Sequence, residues 1–155
     1  MKGLREQIGH GLLLMPAVAV LAWDGEGRLL LVREAETGLW QTVGGAVEPD
    51  ESPLDAAVRE TAEEAGVEVA IDRLRAVTGG PEFRLRYPNG DLVSYVSIVF
   101  DAHIAAGTPH PDGDETIAVA WFTVAELEDA ELTDFTRSLL SDPAVAVLGE
   151  QTNRV

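Results

Sequence analysis

The 155-residue chain carries 27 acidic side chains against 11 basic ones, a formal charge of −16, and no cysteine. That balance argues against a nucleic-acid polymer as partner, because such binding rests on Lys and Arg neutralising phosphates; the missing thiols exclude disulfides, thiolate metal sites and a cysteine nucleophile. With 46% apolar and 25% charged residues, and no run of ~20 continuous apolar residues to cross a membrane, the chain reads as one cytoplasmic globular domain over 1–155. A small phosphorylated substrate is still compatible with the charge, provided divalent metal and local Arg residues offset the repulsive field.

The first sixteen residues, MKGLREQIGHGLLLMP, have a basic start and a short apolar patch. Glu6 and His10 interrupt them, so they read as mature protein rather than a signal. Residues 1–10 suit a short helix or a strand leading inward. Residues 11–22 are continuously apolar, as a buried strand is, with Pro16 marking a restart or an edge because proline donates nothing to a ladder. A turn at 24–27 and a strand at 28–34 complete an expected hairpin. After a loop at 35–38, residues 39–43 are short and extended, and Gly44-Gly45 supplies backbone freedom in a loop.

Residues 52–66 have strong local signals for a helix. Ser52 suits the N-cap, Pro53 the first helical position, Asp55 a capping-box-like partner, and Gly66 the left-handed residue past the end. Leu54, Ala57, Val58, Thr61 and Ala65 form one apolar stripe for a sheet. Glu60, Glu63 and Glu64 fall together on a wheel, away from that stripe. Like-charge neighbours at this spacing cost ~0.2–0.5 kcal/mol per pair, so their concentration invites a bound cation.

Downstream, residues 67–78 suggest a strand ending at Gly79-Gly80-Pro81. Residues 83–87 and 92–102 flank an Asn-Gly turn and read as a hairpin. Residues 107–114 form a loop with an acidic end, and 116–122 a last strand. Helices follow over 124–130, capped by Thr123, and 132–140, capped by Thr133 or Asp134. The tail after residue 150 reads as disordered.

The central stretch, residues 45–67 (GAVEPDESPLDAAVRETAEEAGV), resembles the Nudix box, G-x5-E-x7-R-E-U-x-E-E-x-G-U with U apolar. Gly45, Glu51, Arg59-Glu60, Glu63-Glu64, Gly66 and Val67 match it, and Thr61 takes the first U position. Val43 departs from the family, where many members have Pro before the two glycines. The resemblance implies the Nudix fold, an α/β/α sandwich with a mixed sheet. It also implies hydrolysis of a nucleoside diphosphate linked to another group, such as a nucleoside triphosphate, ADP-ribose or a nucleotide sugar. Mg²⁺ or Mn²⁺ is the implied cofactor and a homodimer an expectation by analogy.

On this reading Glu60, Glu63 and Glu64 hold the metal, with a backbone carbonyl of Gly44 as a further ligand, and Arg59 holds the glutamates by paired hydrogen bonds. The water-activating base is Glu60 or Glu63 within the motif, or Glu115 in the later acidic loop. Arg33, Arg84 and Arg86 are candidates for phosphate or base, or else a solvated edge. Trp40, Phe83, Tyr87 and Tyr95 stack a nucleobase or pack the core. The rival readings are a non-catalytic nucleotide-sensing or protein-interaction Nudix domain, and an isopentenyl-diphosphate isomerase, whose chemistry leans on a Cys that this chain lacks.

Overall fold

Over residues 2–148, which the computed structural model describes, the chain begins with helix α1 (Lys2–Ile8) and strand β1 (Leu13–Ala22). The tail expected to be disordered lies outside the described residues. Pro16 neither stops nor restarts β1. Its carbonyl accepts from the Val47 amide at 3.1 Å, so its protonless nitrogen faces the same side, away from the unbroken ladder on the other edge.

The turn at 24–27 is held by the Asp24 carboxylate, which accepts from the Glu26 and Arg28 amides at 2.9 and 2.8 Å. It leads into β2 (Leu29–Glu34), but the expected hairpin does not close. Strand β3 (Trp40–Ala46) inserts between β1 and β2, pairing residues 43–46 with β1 and 40–42 with β2. One isolated bridge, Trp23 to Leu29, is what β1 and β2 keep. The first four residues of β2, Leu29 to Val32, are fully buried on both faces, as in a central strand with a neighbour on each edge. Gly44 and Gly45 lie inside β3 rather than in a loop.

Helix α2 (Pro53–Ala65) has the predicted ends. Ser52 Oγ accepts from the Asp55 amide at 3.1 Å, and Gly66 takes φ 67° while its N–H donates to Ala62 O at 3.1 Å. Its packing face differs from the expected stripe. Leu54 and Val58 are 52% and 38% exposed, whereas Ala56, Ala57, Thr61, Glu64 and Ala65 are buried. Small side chains let the helix sit close to the sheet, and Thr61 satisfies its hydroxyl by donating to Ala57 O at 2.8 Å.

Next come β4 (Glu68–Thr78), a single turn at Pro81–Phe83, β5 (Arg84–Arg86), β6 (Leu92–Ala106), β7 (Thr116–Phe122), α3 (Val124–Asp129) and α4 (Asp134–Ser141). The sheet order is β4-β6-β1-β3-β2-β7, with β5 beside the start of β6. The β1–β6 pairing is parallel and the others antiparallel, so the sheet is mixed. One core joins α2 to the sheet through Val18, Val20, Leu30, Val32 and Ala57. The other joins α3 and α4 to the opposite face through Leu21, Leu29, Leu31, Leu127, Leu139 and Leu140. The result is the expected α/β/α sandwich. No helix among the described residues is long and apolar enough to cross a membrane.

Far from α2, Asp101 on β6 accepts from Trp23 Nε1 at 2.9 Å, Arg73 Nε at 2.6 Å and Arg75 Nη1 at 2.9 Å. Burial alone would raise its pKa, but these donors outweigh it and hold the carboxyl below its ordinary range. Arg75 also donates to Val145 O at 2.6 Å, tethering the segment after α4. A lowered folded pKa gives stabilisation that is present above the unfolded value and lost as pH falls through the folded one. Asp101→Asn is expected to lower unfolding free energy by roughly 3 kcal/mol at neutral pH, the scale of a broken buried pair. Urea midpoints check this, and the gap to wild type should shrink towards acid.

Candidate active site

One guanidinium, at the middle of α2, organises the outer face of that helix. Arg59 grips Glu51 with two parallel bonds, Nε to Oε1 at 2.6 Å and Nη2 to Oε2 at 3.0 Å. Its Nη1 donates to Glu60 Oε1 at 2.9 Å and Glu63 Oε2 at 3.2 Å, and Nη2 also reaches Ala46 O at 3.2 Å. Glu51 accepts from the Glu48 amide at 3.0 Å as well. The Arg59 bonds hold the Glu51 carboxyl below its ordinary range and push the guanidinium pKa further up.

The other two glutamates meet β3. Glu60 lies flat against Gly45: a Cβ there would come within 2.4 Å of Glu60 Oε1. Burial raises the Glu60 pKa, and Arg59 pulls against it. Glu64 is 7% exposed and accepts from the Gly44 N–H at 3.2 Å. Burial, reinforced by the charges of Glu60, Glu115 and Asp112, pushes its pKa up to about 8 despite that bond. Glu63 stays on the exposed flank, its side chain 58% accessible. Gly44 is itself confined by β1, since a Cβ would fall 2.1 Å from Val18 O. Gly44 is thus required for the close approach of the two backbones, while Gly45 leaves open the space that the Glu60 carboxylate occupies.

The later acidic loop is fastened to the C-terminal end of α2, whose carbonyls need donors from outside the helix. Buried Thr116 donates its hydroxyl to Glu64 O at 2.9 Å, and the His110 amide donates to Ala65 O at 2.9 Å. Asp112 closes the loop by accepting from the Asp114 and Thr116 amides at 2.8 and 2.9 Å. This anchoring brings the Glu115 charge close enough to raise the pKa of both Glu60 and Glu64. No sequence signal pointed to Thr116 or Asp112, because their partners are distant backbone groups.

Among the described residues no three carboxylate or imidazole side chains already stand as a ligand cluster; Arg59 holds Glu60 and Glu63 while Glu64 takes Gly44. The donor set nevertheless fits a hard divalent cation, which takes carboxylate and carbonyl oxygens. The raised pKa of buried Glu64 marks a place where a positive charge is wanted.

Beside the carboxylates, a cavity of about 410 Å³ is lined by Gly44, Gly45, Ala46, Gln41, Leu85, Tyr95 and Phe135. Of the aromatic and basic side chains singled out in the sequence, Tyr87 and Tyr95 are on its wall. Trp40 instead packs edge-on to Phe122 at 5.1 Å, and Phe83 is 1% exposed in the core. Arg33 lies over Trp40 and donates to Gly38 O at 2.7 Å. Neither Trp40 nor Arg33 is among the cavity lining. On β5 the lining residue is Leu85, flanked by exposed Arg84 and Arg86; strand alternation carried that signal. Gln41 and Phe135 enter through tertiary packing and had none.

The NUDIX domain family model matches residues 13–142. A MutT-like protein of Streptomyces ambofaciens is 34% identical over 113 residues, covering 73% of this chain and 66% of that protein. A putative 8-oxo-dGTP diphosphatase of Bacillus subtilis is 31% identical over 108 residues, 70% of this chain and 66% of the relative. An isopentenyl-diphosphate Delta-isomerase of Streptomyces griseus is 34% identical over 119 residues, 73% of this chain and 59% of that protein, so the sequence likeness extends to that class although this chain has no Cys. The chain thus spans less than two thirds of the length of these curated relatives. The crystal structure of a MutT NUDIX hydrolase from Burkholderia pseudomallei superposes with a TM-score of 0.66 at 27% identity, covering 88% of this chain and 98% of that one. With the complete carboxylate motif in place on α2 and the family model spanning most of the sequence, the chain belongs to the NUDIX family.

Proposed function

We propose that the protein is a divalent-metal-dependent pyrophosphohydrolase that cleaves the phosphoanhydride bond of a nucleoside diphosphate linked to another group. One observation carries the reading: buried Glu64 and half-buried Glu60, backed by Glu63, meet β3 at Gly44 and Gly45, which line a cavity of nucleotide size. Glu60, Glu63 and Glu64, with the Gly44 carbonyl, would hold Mg²⁺ or Mn²⁺. When bound, the ion supplies charge neutralisation on phosphate oxygens and lowers the pKa of water.

The side chains around this set divide the remaining work. Arg59 fixes the carboxylates and the loop that precedes α2. Glu115 is the favoured base for water, since its carboxylate is exposed and makes no hydrogen bond among the described residues, while Arg59 holds Glu60 and Glu63. Tyr95 and Phe135 offer aromatic surface to a base. The 8-oxo-dGTP named for the Bacillus relative supports a nucleotide-type small molecule as substrate. The full carboxylate set speaks against a non-catalytic sensing domain, and the lack of Cys against isomerase chemistry. A cytoplasmic setting and a homodimer belong to the same reading.

Glu64→Gln is expected to lower Mg²⁺-dependent turnover at least ~10–100-fold, the scale seen even for residues that only support a metal site. Phosphate release from a nucleotide panel measures it, and undiminished turnover removes Glu64 from the mechanism.

Metal-free stability should also depend on pH. The Glu64 pKa is about 8 in the fold against an ordinary 4.5, so between these values the folded state binds the extra proton. Its stabilisation is complete below the ordinary value and lost as pH rises through the folded one. Thermal melts of the metal-free protein should fall over this window, Glu64→Gln should flatten the fall, and added Mg²⁺ should raise the melting point most at the alkaline end.

A further inference from the structure

The cleft continues past the cavity beside the carboxylates. A second hollow, of about 750 Å³, adjoins it, and the two share Ala46, Tyr87 and Tyr95 as common wall. The strand end at Gly45 and Ala46 is also where α2 comes against the cleft wall, its carboxylates standing just outside the lining of both hollows. Glu60 lies against Gly45, and the Ala46 carbonyl accepts from Arg59. A diphosphate held there has a hollow on each side. Tyr87 and Tyr95, joined hydroxyl to hydroxyl at 2.6 Å, form the ridge between them.

The inner hollow offers Leu85, Phe135 and Tyr95 as apolar and aromatic surface for a flat base, with Gln41, Glu34 and Asp134 on the same wall to accept from the base's N–H groups. The outer one is bounded by α1, the start of β1, the β5–β6 turn and the loop after β2, through Arg5, Met15, Glu36, Asn89 and Asp91. Its single cation is committed elsewhere. Arg5 donates to Gly9 O at 3.2 Å, Gly11 O at 2.6 Å and Leu92 O at 3.0 Å, and it faces Asp91 at 3.4 Å. Asp91 in turn is bonded to His10 and Asn89. Glu36 is exposed and has no side-chain partner among the described residues.

A phosphate placed in the outer hollow therefore meets an unpaired carboxylate with no cation to spare. Hydroxyl groups are better matched, because they donate to carboxylates. The Tyr87 ring and the Met15 side chain can cover the C–H face of a sugar.

We propose that the outer hollow is a second substrate subsite for a neutral, hydroxylated group, so that the substrate class is a nucleoside diphosphate carrying a sugar or polyol rather than a nucleoside triphosphate. The proposal rests on the hydrolase reading above and specifies its end group. In the reaction, a water oxygen bonds to one phosphorus and the bridging P–O bond breaks. The bridging oxygen leaves with the other phosphorus, giving a nucleoside monophosphate and a sugar phosphate, and the water's protons pass to solvent.

The test compares ADP-ribose, UDP-glucose and GDP-mannose with ATP, UTP and GTP, using the full chain and Mg²⁺. Wild type, Glu36→Ala and Tyr87→Leu are assayed, with circular dichroism confirming that each variant folds. For at least one base, kcat/KM should favour the sugar compound over the triphosphate by roughly tenfold or more. Glu36→Ala should raise KM for that sugar compound roughly three- to tenfold, the scale of a lost hydrogen bond, and leave triphosphate KM unchanged. Tyr87→Leu, on the wall of both hollows, should raise KM for the sugar compound by more than for the triphosphate. Faster turnover of triphosphates, or variants that shift both classes equally or neither, overturns the subsite while sustaining the hydrolase reading. Hydrolysis of no compound in the panel overturns both.

Discussion

The fork between Arg59 and Glu51 is the interaction on which the rest of the site depends. Glu60, Glu63 and Glu64 crowd three like charges onto little more than one turn of α2, a spacing that destabilises an isolated helix. Arg59 is the counter-charge within that turn, and it distributes its donors rather than pairing once. Nε and Nη2 close on Glu51, and Nη1 is left for Glu60 and Glu63. A lysine could not do this, because a point charge lacks the planar donor geometry. The same fork shapes the loop before α2, where Asp50 takes φ 65°, a conformation that a non-glycine residue holds only when its surroundings fix it.

The helix and its ends were legible in the sequence because their determinants are local. Ser52, Pro53 and Gly66 act on backbone groups within four residues of themselves, so order along the chain is order in space. Glu64 shows where that logic runs short. A helical wheel places it beside Glu60 and Glu63, which is correct, but takes Leu54 and Val58 as the buried edge. The sheet instead receives the alanines, and Glu64 turns inward with them. Apolar side chains mark a stripe on a wheel; close packing selects small ones, which mark it only faintly. The hairpin between β1 and β2 failed for a related reason. A turn specifies chain reversal, whereas neighbours in a sheet are settled by burial across the whole layer, and β3 could serve both strands.

The glycine pair shows how the same residues can be read for freedom and used for proximity. Gly44-Gly45 suggested a flexible loop, yet both residues sit in a strand. What they supply is missing volume. Without side chains there, β3 comes against Val18 O on one side and the Glu60 carboxylate on the other. The departure at Val43 fits this setting, since the residue is fully buried and paired with Val20, a strand position that favours a β-branched side chain.

The chain's acidity and its proposed chemistry then bear on each other. A polyanionic substrate approaching a protein of charge −16 needs local positive charge, and among the described residues no Lys or Arg lines the inner cavity. Arg59 is bound to Glu51, Arg5 to backbone carbonyls, and Arg73 and Arg75 to Asp101 on another part of the sheet. On the proposed reading, neutralisation of phosphate would fall chiefly to a cation recruited by Glu60, Glu63 and Glu64, with exposed Arg84 and Arg86 standing beside Leu85 but outside the cavity lining. Carboxylates that repel the substrate when bare would become its docking point if they held a divalent ion, which would supply charge neutralisation for phosphate oxygens. On the same reading the negative field would favour binding to the metal-loaded protein, and buried Glu64, which holds a proton below pH about 8 when bare, would give that proton up on loading.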